Sequence, residues 1–85
     1  MSAEAQASEL LSAEQLVART MRLLSRAATV GLCEGRVRAL IQHLECVASD
    51  DTLDPAIRQV SQTLLADWRV TQAEQFGQPE GPALH

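Results

Sequence analysis

The sequence predicts an all-α domain: a small antiparallel three-helix bundle with helices over about residues 13–30, 36–48 and 55–76, open to completion by dimerisation. Three observations predict it. Apolar residues recur at helical spacing in three separate stretches. The breaks between these stretches are short and carry Gly, Asp and Pro. No run alternates apolar and polar residues in the manner of a strand. Short connections make consecutive helices antiparallel neighbours.

The first helix has the firmest start. Ser12 can cap it, and Gln15 stands where a capping box places Glu or Gln. Leu11 and Leu16 occupy the two positions of a hydrophobic staple. Gly31 suits the position just past the helix end. Leu16, Val17, Thr20, Met21, Leu23, Leu24, Ala27 and Ala28 share one broad face, which predicts the inward side. Arg19, Arg22 and Arg26 lie together on the opposite side.

Residues 31–35 form the predicted connection. The second helix carries Val37, Leu40, Ile41, Leu44, Val47 and Ala48 as a narrow apolar seam. The break over residues 49–55 carries Asp54, a capping residue. Pro55 follows at the first helical position, where its missing N–H costs nothing. The third helix turns Ile57, Val60, Ser61, Leu64, Leu65 and Trp68 inward, with Trp68 as the largest core anchor. Gly77 ends it. The pattern thus divides into a flexible N-terminus over 1–11, a helical domain over 12–76 and a disordered tail over 77–85.

A chain of 85 residues predicts one domain. Hydrophobic residues make up 46% of it but aromatic ones only 2%, namely Trp68 and Phe76, so aliphatic side chains must build the core. A small domain short of core volume gains stability by pairing, which predicts a homo-oligomer, a dimer in the simplest case. All seven basic residues are Arg and Asn is missing, a usage that suits a GC-rich bacterial or phage source. The net charge of −4 is unevenly spread. Glu4, Glu9 and Glu14 make the start acidic. Arg19, Arg22, Arg26, Arg36 and Arg38 against Glu34 make the next stretch basic. Glu45, Asp50, Asp51 and Asp54 then reverse the sign. The N-terminus lacks the basic start and apolar run of a signal peptide, and no apolar stretch approaches the roughly 20 residues of a membrane span, so a cytoplasmic location and no membrane partner are expected. Cys33 and Cys46 are then expected to stay reduced.

Little points to chemistry. His43 and Cys46 stand three apart on one helix, and Cys33 and His85 are further donors by type, but the paired spacings of a structural zinc site are missing. No glycine-rich phosphate loop, paired inward carboxylates or nucleophile-and-base pattern stands out. No metal, cofactor or catalytic role is expected, and the chain is expected not to be an enzyme.

The surfaces carry more. Arg19, Arg22 and Arg26 form a stripe that Arg36 and Arg38 extend after the turn. Ala39, Gln42 and Cys46 lie on the back of the second helix, and Ala66, Val70 and Ala73 form an apolar strip on the third. Charged helix faces are ordinarily just solvated, and Ala is a good helix filler. β-branched Val70 is a poor surface choice, however, and suggests a contact. Two copies joined through Cys46 across a twofold axis are a further expectation. These features point to a non-enzymatic protein-protein interaction module: a small bacterial or phage adaptor, chaperone, anti-activator or inhibitor meeting an acidic or apolar partner surface. The alternative is a small helical nucleic-acid-binding regulator using the Arg19, Arg22 and Arg26 stripe, against which the net negative charge weighs.

Overall fold

A computed structural model describes residues 12–77. The N-terminal stretch 1–11, with the Leu11 half of the staple, and tail residues 78–85 lie outside the described residues. Three helices make up most of the rest: α1, Ala13–Thr29; α2, Glu34–Ala48; and α3, Pro55–Phe76. Among the described residues there is no strand. The chain is a small three-helix bundle.

The helix ends follow the local chemistry. Ser12 is extended and its Oγ accepts the Gln15 N–H at 3.1 Å, while Gln15 Oε1 accepts the Ser12 N–H at 3.1 Å. This reciprocal pair satisfies two donors that a bare helix start leaves open. At the other end the Val30 and Gly31 N–H groups both donate to the Arg26 carbonyl, at 2.8 and 3.2 Å. Gly31 then takes φ +122, which an L side chain rarely adopts. α3 starts as expected, with Asp54 Oδ1 accepting the Ala56 N–H at 2.8 Å and Pro55 in the first turn. Gly77, at φ +76, closes it by donating to the Ala73 carbonyl at 2.9 Å.

One boundary differs from expectation. α2 begins at Glu34, not 36, with Gly35 inside its first turn. Cys33 is the extended cap residue and supplies no side-chain cap bond, but its carbonyl takes the Val37 N–H at 3.0 Å. Glu34 suits the positive end of a helix dipole, which favours recruiting it into the first turn.

Packing is centred on one helix. α1 and α3 both pack against α2, and no pair of their own Cα atoms comes within 8 Å. The buried apolar residues are accordingly Val37, Leu40, Ile41, Leu44 and Val47, all on α2, together with Leu53 from the α2–α3 connection. α1 and α3 each bury one small polar residue, Thr20 and Ser61. Thr20 meets the cost of burial by donating its hydroxyl to the Leu16 carbonyl at 2.8 Å. Leu16, Val17, Leu23 and Leu24 on α1, and Ile57, Leu64 and Leu65 on α3, are half-buried.

The expected inward faces are therefore only partly realised. Met21 is 63% exposed and Val60 51% exposed, because the backbones of the helices that carry them do not approach closely. Trp68 is half-buried. Leu53, read from the sequence as part of a break, is instead drawn into the core.

The α2–α3 connection is organised by Asp50. Its Oδ1 accepts both the Thr52 hydroxyl and, at 2.9 Å, the Thr52 N–H, and the Leu53 N–H donates to its carbonyl at 3.1 Å. The Thr52 hydroxyl and then the Thr52 N–H hold the Asp50 carboxyl below the usual aspartate range; desolvation opposes them, and the Arg58 charge adds a weaker lowering.

Two outcomes are expected. Leu40→Ala or Leu44→Ala should cost about 2–5 kcal/mol in urea unfolding, the usual range for a filled core position, and Met21→Ala under ~1 kcal/mol. Equal costs would mean that α1 and α3 close on each other. Thr52→Val should raise the Asp50 pKa, read by carboxyl NMR titration. Because the folded-state value lies below the unfolded one, the Asp50 contacts stabilise the fold above the ordinary aspartate range. That stabilisation disappears as pH falls through the folded value. The stability gap between wild type and Thr52→Val should therefore be present at neutral pH and narrow in acid; a gap that widens in acid would refute the assignment.

Candidate functional site

Two concave surfaces follow from this packing. The first is a groove. Because α1 and α3 stand apart on α2, their apolar stripes become walls and α2 the floor. Val17, Met21 and Leu24 line one side, Ile57, Val60 and Leu64 the other, and Leu44 and Val47 the bottom. Thr20 and Ser61 complete the lining, their small side chains keeping it open. Its volume is about 190 Å³, room for a few aliphatic side chains.

The second is a basic cleft where α1 meets α2, lined by Arg19, Arg22, Leu23, Ala39 and His43, with a volume of about 340 Å³. It shares no lining residue with the groove. His43 Nδ1 lies 2.8 Å from the Ala39 carbonyl, which can only accept, so Nδ1 carries the proton and the ring is held to its own helix.

The arginines divide into two groups. Arg36 is half-buried and its guanidinium donates to the Gly31 carbonyl, clamping the α1–α2 connection from within. Arg38 is exposed and pairs with Glu34 at 3.4 Å, one turn back on α2. Arg58 lies 3.8 Å from Asp51, and Arg69 of α3 pairs with Glu45 of α2. Among the described residues no carboxylate lies within ion-pair distance of Arg19, Arg22 or Arg26. Of the stripe read from the sequence, the cleft thus collects Arg19 and Arg22. Arg26 is exposed outside it, and Arg36 and Arg38 are engaged within the chain.

The small-residue strips are dispersed. Ala39 lines the cleft, while Gln42 and Cys46 are exposed further round α2. On α3, Ala66 is exposed, Val70 is 56% exposed and Ala73 is half-buried. None of Ala66, Val70 or Ala73 lines either concavity. Cys33 and Cys46 are both free and exposed. Sequence reasoning missed the groove residues Met21 and Val60 as a surface, and His43 as a neighbour of the arginines. The available signal was Thr20 and Ser61, small polar residues in the middle of two otherwise apolar stripes.

Among the described residues no cluster of three or more His, Cys, Asp or Glu side chains is placed to hold a metal ion, and no helix is long and apolar enough to cross a membrane. Comparison with known protein families, with curated proteins and with solved structures finds no match.

The placement of Arg36 gives a direct check. A charge-assisted hydrogen bond to a half-buried carbonyl contributes roughly 1–2 kcal/mol. Arg36→Ala should lower stability by about that amount in chemical denaturation. Arg38→Ala, whose exposed pair is worth under ~1 kcal/mol, should change little. The reverse order would remove Arg36 from its structural role.

Proposed function

We propose that this chain is a non-enzymatic protein-interaction module, and that the groove between α1 and α3 receives the α1 helix of a second copy. The observation that carries the reading is the separation of the α1 and α3 backbones on α2, which leaves two apolar stripes and a floor that no other helix covers among the described residues. An amphipathic helix laid into such a groove through residues at i, i+3, i+4 and i+7 is a common mode of recognition. Val17, Met21 and Leu24 of α1 fall at i, i+4 and i+7.

The same face carries both a groove and a protruding apolar side chain, Met21, which is what a twofold interface requires of one surface. The shortage of aromatic core residues supports the reading independently, since a small domain with a thin core gains from a partner.

Sedimentation velocity across micromolar to millimolar chain concentrations checks this. The expected result is a dimer for the natural chain and a monomer for Met21→Asp and for Val60→Asp. Both variants should keep the native far-ultraviolet circular dichroism, since both positions are exposed in the single chain. A monomer at the highest concentration, or a dimer untouched by either substitution, would contradict the proposed interface.

A further inference from the structure

We propose that the cleft formed by Arg19, Arg22, Ala39 and His43 is a binding site for a small oxyanion-bearing molecule, a phosphorylated or polycarboxylate compound. The inference does not depend on dimerisation, because the cleft and the groove have no residue in common. Arg19 and Arg22 are three apart on α1, so their side chains leave the same flank on adjacent turns. A guanidinium presents a planar fork of N–H donors that matches carboxylate and phosphate oxygens in pairs. Two such forks beside one cavity can hold an anion from two directions.

Among the described residues these charges are uncommitted, which sets them apart from the other arginines of the bundle apart from Arg26. Arg36, Arg38, Arg58 and Arg69 each have a carbonyl or carboxylate partner within the molecule. Among the described residues Arg19 and Arg22 have none. The third member of the site comes from α2. With Nδ1 donating to the Ala39 carbonyl, His43 has only Nε2 to offer a guest. In that tautomer Nε2 accepts from a ligand hydroxyl; protonated, it donates to the anion. Leu23 forms an apolar wall, and the short side chain of Ala39 leaves the space that a larger residue would fill. A volume of about 340 Å³ suits a phosphoryl or carboxylate group with a small organic body.

The test is an NMR titration of the full isotopically labelled chain with pyrophosphate and, separately, citrate, at fixed ionic strength. The expected result is saturable shifts of the His43 ring and of the Arg19 and Arg22 Nε–H signals with at least one of them. A stronger response to pyrophosphate assigns phosphoryl chemistry, and a stronger response to citrate assigns carboxylate chemistry. Arg19→Gln and Arg22→Gln should each weaken binding about tenfold, the loss of one charge-assisted contact. Arg26→Gln is the internal control: it removes the same charge from the same helix outside the cleft and should change affinity less than about twofold, as expected of an exposed, screened charge. Ala39→Leu should abolish binding with every charge retained. If it fails to fold, by circular dichroism, the comparison of the three arginines decides alone. Shifts that do not saturate, or equal losses at Arg19, Arg22 and Arg26, would reduce the effect to general electrostatic attraction and overturn the site. Shifts seen with a hexaglutamate peptide but with neither small anion would overturn it in favour of a protein partner's carboxylates.

Discussion

The burial of one face of α2 is the constraint on which the rest of the structure depends. Val37, Leu40, Leu44 and Val47 are almost wholly removed from water, and Ile41 nearly so. Neither flanking helix has a comparable seam. α1 and α3 are held because each covers one side of α2, and because polar contacts fix the joints: the Arg36 clamp on Gly31 at one end and the Asp50–Thr52 turn at the other. With burial contributing about 25 cal/mol per Å² of apolar surface, a half-buried Leu on α1 or α3 supplies only part of what Leu40 or Leu44 supplies. Stability is thus concentrated in the middle helix, and apolar side chains of α1 and α3 such as Met21 and Val60 stay exposed.

The two concavities are consequences of that arrangement. Two helices laid on a third with their backbones held apart leave an apolar trough on one side. On the other flank of the α1–α2 seam the arginines of α1 come beside the small Ala39 and the ring of His43. Apolar and basic features are therefore separated onto different surfaces, and one can be occupied without displacing the other. The groove is lined mostly by aliphatic side chains, and the cleft by two guanidinium groups, an imidazole and small or aliphatic neighbours.

Much of the fold was legible in the sequence, because the signals were local. The Ser12–Gln15 box, the Asp54–Pro55 start and the terminal Gly31 and Gly77 each act within a few residues, and each sits where it was read. The α2 seam was legible because all of its spaced apolar positions point one way. What was not legible was which stripe meets which. A helical wheel shows that Met21 and Val60 belong to apolar faces but not that those faces stand apart, which depends on how α1 and α3 sit on α2. The joining of Arg19 and Arg22 to His43 was hidden for the same reason, since it links residues about two dozen positions apart across a packing angle. Leu53 was hidden because a turn residue is buried only when its neighbours, here Asp50 and Thr52, fold the chain back on itself.

Residue-resolved hydrogen exchange on the dilute, monomeric chain tests the central place of α2 most directly. Amides over Val37–Val47 should exchange slowest, near the limit set by global unfolding, and those of α1 and α3 should exchange faster through local opening. Equal protection across all three helices would mean that α1 and α3 share a core of their own, and would contradict an architecture in which a single buried seam holds the bundle together.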